Sequence, residues 1–145
     1  MNNYSVFSPL AYADDDEDDR MFFAEAMQDI FPEINMEIFP NGKLLMTHIL
    51  NTLSAGILPK LIFLDLNMPI MDGFECLTHL KKNQLLTKIP VVIYSTSSSE
   101  EDRRKSLEMG ALFFLTKETS INKMHNQLKL VIDELFKRKK NLKLV

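Results

Sequence analysis

"LIFLDLNMPIMDGFE", residues 61–75, holds a strand, an acid, a turn and a helix start in one short stretch. Leu61 to Leu64 form a continuous apolar run rather than an alternating one, as expected of a strand covered on both faces in a parallel sheet. Asp65 follows at once, at what would be the strand's C-terminal end. Pro69 rigidifies the loop, and Asp72-Gly73 reads as turn chemistry. Beyond Gly73, Phe74, Leu77 and Leu80 fall at helical spacing. The stretch is one βα unit with a carboxylate at its open end.

The same unit recurs along the chain. Short apolar segments lie at 9–13 (PLAYA), 35–39 (NMEIF), 61–65 (LIFLD), 90–95 (PVVIYS) and 111–116 (ALFFLT). Longer stretches with helical periodicity lie between and after them. The first helix should begin near Asp18 or Asp19, bury Phe22, Phe23, Ala26, Met27 and Ile30, and stop at Pro32. The second runs from about Lys43 to Leu53, after Asn41-Gly42 read as a turn. The third follows Gly73. The fourth starts at a capping box, Ser98 with Glu101, and ends at Gly110. The fifth carries Ile121, Met124, Leu128, Val131 and Leu135 on one face.

Five strands alternating with five helices predict an α/β fold with an open parallel sheet. No repeat, linker or second domain interrupts residues 1–145, so one domain is expected, with its core at about 9–136 and a basic extension to the last helix. In such sheets ligands bind at the C-terminal ends of the strands.

Composition narrows the functional classes. The chain has 145 residues, 46% hydrophobic and 26% charged, with a formal net charge of −3. This is a globular balance, and the mild acidity gives no general footprint for nucleic acid. The basic residues Lys137, Arg138, Lys139, Lys140 and Lys143 read as a solvated helix end. Cys76 is the single cysteine, so an intramolecular disulfide is impossible and a reducing compartment is expected. The first residues, MNNYSVFSPLAY, do not resemble a signal peptide, and no apolar run reaches membrane-spanning length. A soluble cytoplasmic protein is expected.

The strand ends carry the chemistry. The first ends in Asp14-Asp15, the third in Asp65, the fourth in Ser95-Thr96 and the fifth in Thr116-Lys117. Two carboxylates about 4 Å apart repel by roughly 4 kcal/mol at an effective dielectric near 20. Three of them must take up protons or hold a cation. Hard carboxylate oxygens, a backbone carbonyl and waters suit Mg²⁺, which keeps waters that a phosphate can replace. A lysine and a serine hydroxyl opposite suit phosphate oxygens, leaving Asp65 as the oxygen nucleophile.

In the order and spacing of Asp14-Asp15, DLNMPIMDG around Asp65, Ser95 after VVIY and Lys117 in FLTK, the chain resembles the receiver domain of two-component response regulators over residues 9–136. The resemblance implies a flavodoxin-like fold with strand order 2-1-3-4-5. It implies that Asp65 accepts phosphate from a histidine kinase or a histidine phosphotransfer protein. By the same resemblance Asp15, Asp65 and the carbonyl of Asn67 ligate Mg²⁺, and Asp14 holds it through water. Ser95 bonds the acyl phosphate, Lys117 pairs with it, and Phe114 is the switch aromatic. Asn67, Thr96 and Ser97 border the path of the hydrolytic water.

The chain departs from the family pattern in two places. Glu118 follows Lys117 where proline is common; a cis bond without proline would cost roughly 3–4 kcal/mol. Thr96 stands where a small residue is frequent, narrowing access to Asp65. YSTSSSEED together with the missing proline is similar to single-domain receivers linked to sensor kinases such as phytochromes.

Of the acidic run Asp14 to Asp19, only Asp14 and Asp15 are expected at the site. Asp16 and Glu17 are assigned to a solvated loop, Asp18 and Asp19 to the positive first turn of the first helix. His48, His79 and His125 have no ligand spacing, and Cys76 reads as a packing residue. The leading expectation is a stand-alone receiver, not an enzyme acting on a separate substrate, that signals through protein contact. Its output face would be the fourth helix, fifth strand and fifth helix, read by a target protein or a second copy. Glu100–Arg104 and Glu101–Lys105 pairs are expected on that helix. Two alternatives are a pseudo-receiver that binds partners without phosphorylation and a metal-dependent phosphohydrolase. The acid triad with Ser95 and Lys117 argues against the first. Asn67, where a second acid would be needed, and the lack of room for a cap argue against the second.

Overall fold

The computed structural model describes residues 2–143. Five strands, β1 (Leu10–Ala13), β2 (Met36–Phe39), β3 (Leu61–Leu64), β4 (Val91–Ser95) and β5 (Phe113–Thr116), form one parallel sheet in the order 2-1-3-4-5. Five helices follow them: α1 (Glu17–Ile30), α2 (Gly42–Leu53), α3 (Gly73–Lys82), α4 (Glu100–Glu108) and α5 (Ile121–Lys143). Architecture and strand order match the sequence-based expectation.

The continuous apolar strands are explained by what covers them. Side chains alternate across a strand, so Ala11, Ala13, Ile62, Leu64, Val91 and Ile93 face Leu45 and Ile49 of α2 and Leu77 and Leu80 of α3. Leu10, Tyr12, Leu61, Phe63, Val92 and Tyr94 face Phe23 and Met27 of α1 and Leu128, Ile132 and Leu135 of α5. Both faces are dry, and no polar alternation survives in the central strands.

Helix starts differ from expectation in informative ways. Helix α1 begins at Glu17, and Asp16 is its N-cap, accepting from the Asp19 backbone N–H at 3.0 Å. Asp16 and Glu17 therefore belong to the helix start rather than to a free loop. Asn41 and Asp72, read as turn residues, are the N-caps of α2 and α3, and Asp72 completes a capping box with Glu75. The cap of α4 is Ser99, bonded to the Asp102 N–H, rather than Ser98 with Glu101. Three consecutive serines offer the same hydroxyl, and the turn geometry selects the third.

Helix α4 is thinly anchored, with Ser106 its buried residue. Its charge pairing also departs from expectation: Arg104 bonds Glu108 at 3.0 Å, and Lys105 lies over the Phe74 ring at 4.1 Å, instead of pairing with Glu100 and Glu101. At the other end of the sheet a short 3-10 turn, Tyr4–Phe7, packs Tyr4 on Phe31 and Phe136 and donates its hydroxyl to Asp133 at 2.6 Å. The basic end of α5 is not wholly solvated, since the Arg138 guanidinium stacks 4.7 Å from the Phe113 ring.

Gly73 places α3 against the end of β3. A Cβ there would sit 2.5 Å from the Asp65 carbonyl oxygen and 2.8 Å from Leu66 Cα, both backbone atoms that cannot swing aside. Gly73→Ala is therefore expected to cost about 1–3 kcal/mol by overpacking, measured by urea unfolding. A midpoint equal to wild type would show that α3 does not depend on this close approach.

Candidate functional site

Asp14 and Asp65 arrive at the C-terminal edge of the sheet on adjacent strands, β1 and β3. The Asp65 N–H donates to the Ala13 carbonyl at 3.0 Å, which locks the two strand ends together. Asp14 is completely buried. Its carboxylate accepts from the Tyr12 hydroxyl at 2.5 Å, the Asp16 N–H at 2.9 Å and the Lys117 ammonium at 2.5 Å. The Arg20 guanidinium donates to its carbonyl at 2.8 Å. Burial and the Asp14 charge push the Tyr12 phenol far up, so it remains a donor.

Asp65 is 5% exposed. Burial and the neighbouring Asp14 push its carboxyl up to about 6, although the Lys117 charge and the Asn67 backbone N–H pull the other way. Asp15 is exposed beside it. Oxygens of Asp14, Asp15 and Asp65 all lie within 4.8 Å of one another. This donor set fits a hard divalent cation: two buried carboxylates form the floor, and an exposed one stands where solvent can complete the shell.

Lys117 enters from the end of β5. Its N–H donates to the Ser95 carbonyl at 2.7 Å, which fixes the backbone. Its ammonium contacts Asp14 at 2.5 Å, Asp19 at 2.8 Å and Asp65 at 3.9 Å. Burial alone would lower this amine, but the bonds to Asp14 and Asp19 and the field of Asp65 outweigh it and raise it. The Lys117–Glu118 peptide is trans, so the lysine reaches the site without the proline turn.

Ser95 is fully buried, and its hydroxyl accepts from the Ser97 N–H at 3.2 Å. Ser97 in turn donates to Asp102 of α4 at 2.7 Å, and Thr116 donates to the Ser97 carbonyl at 2.8 Å. Ser95 is thus two hydrogen bonds from α4. Thr96 and Asn67 are exposed at the rim, and Phe114 is half-buried against the cluster under α2 and α3. Ile70, in the loop after Asp65, has φ 71°, a left-handed conformation rare for a β-branched residue.

Of the site residues expected from the sequence, Asp14, Asp15, Asp65, Asn67, Ser95, Thr96, Ser97 and Lys117 lie at or just beyond the C-terminal ends of β1, β3, β4 and β5, and Phe114 lies within β5. Three residues were missed: Tyr12, Arg20 and Asp19. Asp19 had a readable signal, because it lies one helical turn before buried Phe23 and so continues the inward stripe of α1 toward the site.

The chain matches the response regulator receiver domain over residues 11–129. It belongs to the response regulator receiver family. Among curated relatives, the response regulator Rcp1 of Synechocystis sp. is 44% identical over 63 residues, 43% of this chain and 43% of that protein. The chemotaxis protein CheV1 of Helicobacter pylori is 37% identical over 95 residues, 63% of this chain and 30% of that protein. The receiver described here thus matches less than half the length of either. Similar solved structures include the phosphorylated cyanobacterial phytochrome response regulator RcpA, with TM-score 0.76 and 26% identity, and the Mn²⁺-bound form of Rcp1, with TM-score 0.75 and 28% identity. Each alignment covers 86% of this chain and 91% of the other.

The raised Asp65 carboxyl gives this receiver a pH signature. The unfolded chain loses that proton near 3.8, the folded chain near 6. As pH rises through this window the native state holds more protons than the unfolded one, so stability falls. In metal-free buffer, Asp65→Asn is expected to be more stable than wild type by on the order of 2 kcal/mol at pH 7.5, with the gap closing toward pH 4. Parallel stability curves, measured by denaturant unfolding across that range, would contradict the burial account of Asp65.

Proposed function

We propose that this receiver takes a phosphoryl group onto Asp65 from the phosphohistidine of a sensor histidine kinase or phosphotransfer protein. The observation that carries this reading is the position of the Asp65 carboxylate, 3.9 Å from the Lys117 ammonium and grouped with Asp14 and Asp15. An Asp65 oxygen attacks phosphorus, the P–N bond breaks, and the imidazole leaves with the bonding pair and takes a proton from solvent. With its carboxyl near 6, Asp65 is ionised at neutral pH and nucleophilic.

Asp14, Asp15 and Asp65 set against Lys117 leave two negative charges uncompensated. That balance suits one Mg²⁺ held by Asp15, Asp65 and the Asn67 carbonyl, with Asp14 acting through water. The ion, when bound, neutralises charge on the transferring phosphoryl group. Lys117 supplies the positive charge that pairs with a phosphoryl oxygen, and the Ser95 hydroxyl is the donor for a further one. Thr96, Ser97 and Asn67 border the path of the water that later hydrolyses the acyl phosphate. Turnover of a separate substrate is not part of this reading.

The signal leaves through α4, β5 and α5. Movement of Ser95 toward the phosphoryl group breaks the bond from the Ser97 N–H and so perturbs the Ser97–Asp102 contact at the start of α4. Phe114 then fills the space vacated. A thinly anchored helix shifts at low cost, and a downstream protein or a second copy reads the altered face. We place this exchange in the cytoplasm within a single domain spanning 1–145, without contact to nucleic acid or membrane; among the described residues no helix is long and apolar enough to cross a membrane.

Incubation with Mg²⁺ and acetyl phosphate is expected to add one acid-stable, base-labile phosphate, read by intact mass. Asp65→Asn should abolish it, and Asp15→Ala should reduce its rate at least about tenfold by weakening the metal site. Undiminished labelling of Asp65→Asn would sink the assignment.

A further inference from the structure

Lys117 is bound by a carboxylate outside the expected site. Asp19 Oδ2 lies 2.8 Å from its ammonium, while the Asp65 oxygen is 3.9 Å away, beyond hydrogen-bond range. Asp19 is held there from both sides. Its backbone N–H is tied to the Asp16 cap, and one turn later Phe23 is buried with its ring centroid 4.1 Å from that of Tyr12. The Asp19 carboxylate remains 32% exposed, so it can let go of the lysine without being stranded in a dry interior.

An ammonium has three N–H donors. Asp14 and Asp19 take two of them and draw the charge toward β1 and α1. Full engagement with a phosphoryl oxygen on Asp65 requires Lys117 to lean away from Asp19. The Asp19 charge also repels an incoming phosphoryl anion. Asp14 cannot play this part, since it is wholly buried and tied to Tyr12 and Asp16 as well. We propose that Asp19 is a positioning residue for phosphoryl transfer that holds Lys117 in a resting place and sets how readily Asp65 becomes and stays phosphorylated. The proposal rests on the reading of Asp65 as phosphoacceptor.

The test compares Asp19→Asn, Asp19→Glu and Asp18→Asn in the full chain. Asp18 is the adjacent exposed acid; its loss removes the same formal charge without touching Lys117. Affinity for beryllofluoride with saturating Mg²⁺ is expected to rise about threefold to tenfold in Asp19→Asn, the scale of one partly exposed ion pair. Phosphorylation by acetyl phosphate should quicken in parallel. Asp19→Glu should return both toward wild type, and Asp18→Asn should leave both within about twofold, the weak effect of an unpaired surface charge. Equal gains in Asp18→Asn and Asp19→Asn would overturn the proposal in favour of net charge, and a loss of affinity in Asp19→Asn would overturn its sign. NMR of the Lys117 ammonium without phosphoryl mimic or metal separates the two layers. Asp19→Asn should shift the Nζ–H resonance and quicken its exchange with solvent, and no change would refute the Asp19 contact itself. Failure of the wild type to bind beryllofluoride while that resonance shifts would instead refute the phosphoacceptor reading.

Discussion

The structure turns on one electrostatic constraint: two buried carboxylates, Asp14 and Asp65, on adjacent parallel strands and facing a single ammonium. Burying a charge is costly unless it is paired and hydrogen-bonded. Asp14 meets that demand with a phenol, a backbone N–H and Lys117. Asp65 meets it only partly, and its carboxyl is pushed up accordingly. The rest of the fold serves to hold this imbalance. Tyr12 and Phe23 wall the site from below, Gly73 lets α3 close on Asp65, and the Ser95 carbonyl pins the Lys117 backbone.

In the proposed reading, that imbalance is also what makes the site responsive. A fully satisfied carboxylate would have no reason to take a cation or a phosphoryl group. Asp65 has a lysine just out of hydrogen-bond reach and an exposed acid beside it. In the proposed reading, the connection from Ser95 through Ser97 to Asp102 is the route by which a local change in charge reaches α4, whose buried residue is Ser106. The family match and the solved neighbours agree with this architecture.

Much of this was legible in the sequence, for reasons that particular residues make clear. Continuous runs such as LIFL and VVIYS read as strands covered on both faces, and parallel topology then sent Asp14, Asp65, Ser95 and Lys117 to one edge. What escaped was decided by geometry finer than periodicity. Ser97, Ser98 and Ser99 offer identical hydroxyls, and only the turn after β4 selects Ser99 as cap. Arg104 had acids four residues away on both sides, and the structure pairs it with Glu108. Asp19 looked like one more charge in an acidic run, although its place one turn before Phe23 pointed it inward. Tyr12 read as another apolar strand residue, its hydroxyl function hidden until Asp14 stood over it.

The most direct test of the account is linkage between Mg²⁺ and stability. If Asp14, Asp15 and Asp65 form a cation site that the fold holds in uncompensated repulsion, ion binding must stabilise the native state by mass action. The urea midpoint at pH 7.5 should climb steadily with Mg²⁺ concentration and stay flat with NaCl at matched ionic strength. The climb should vanish when Asp15 and Asp65 are both changed to asparagine. A midpoint that follows ionic strength alone, or a climb that persists in the double variant, would contradict the account.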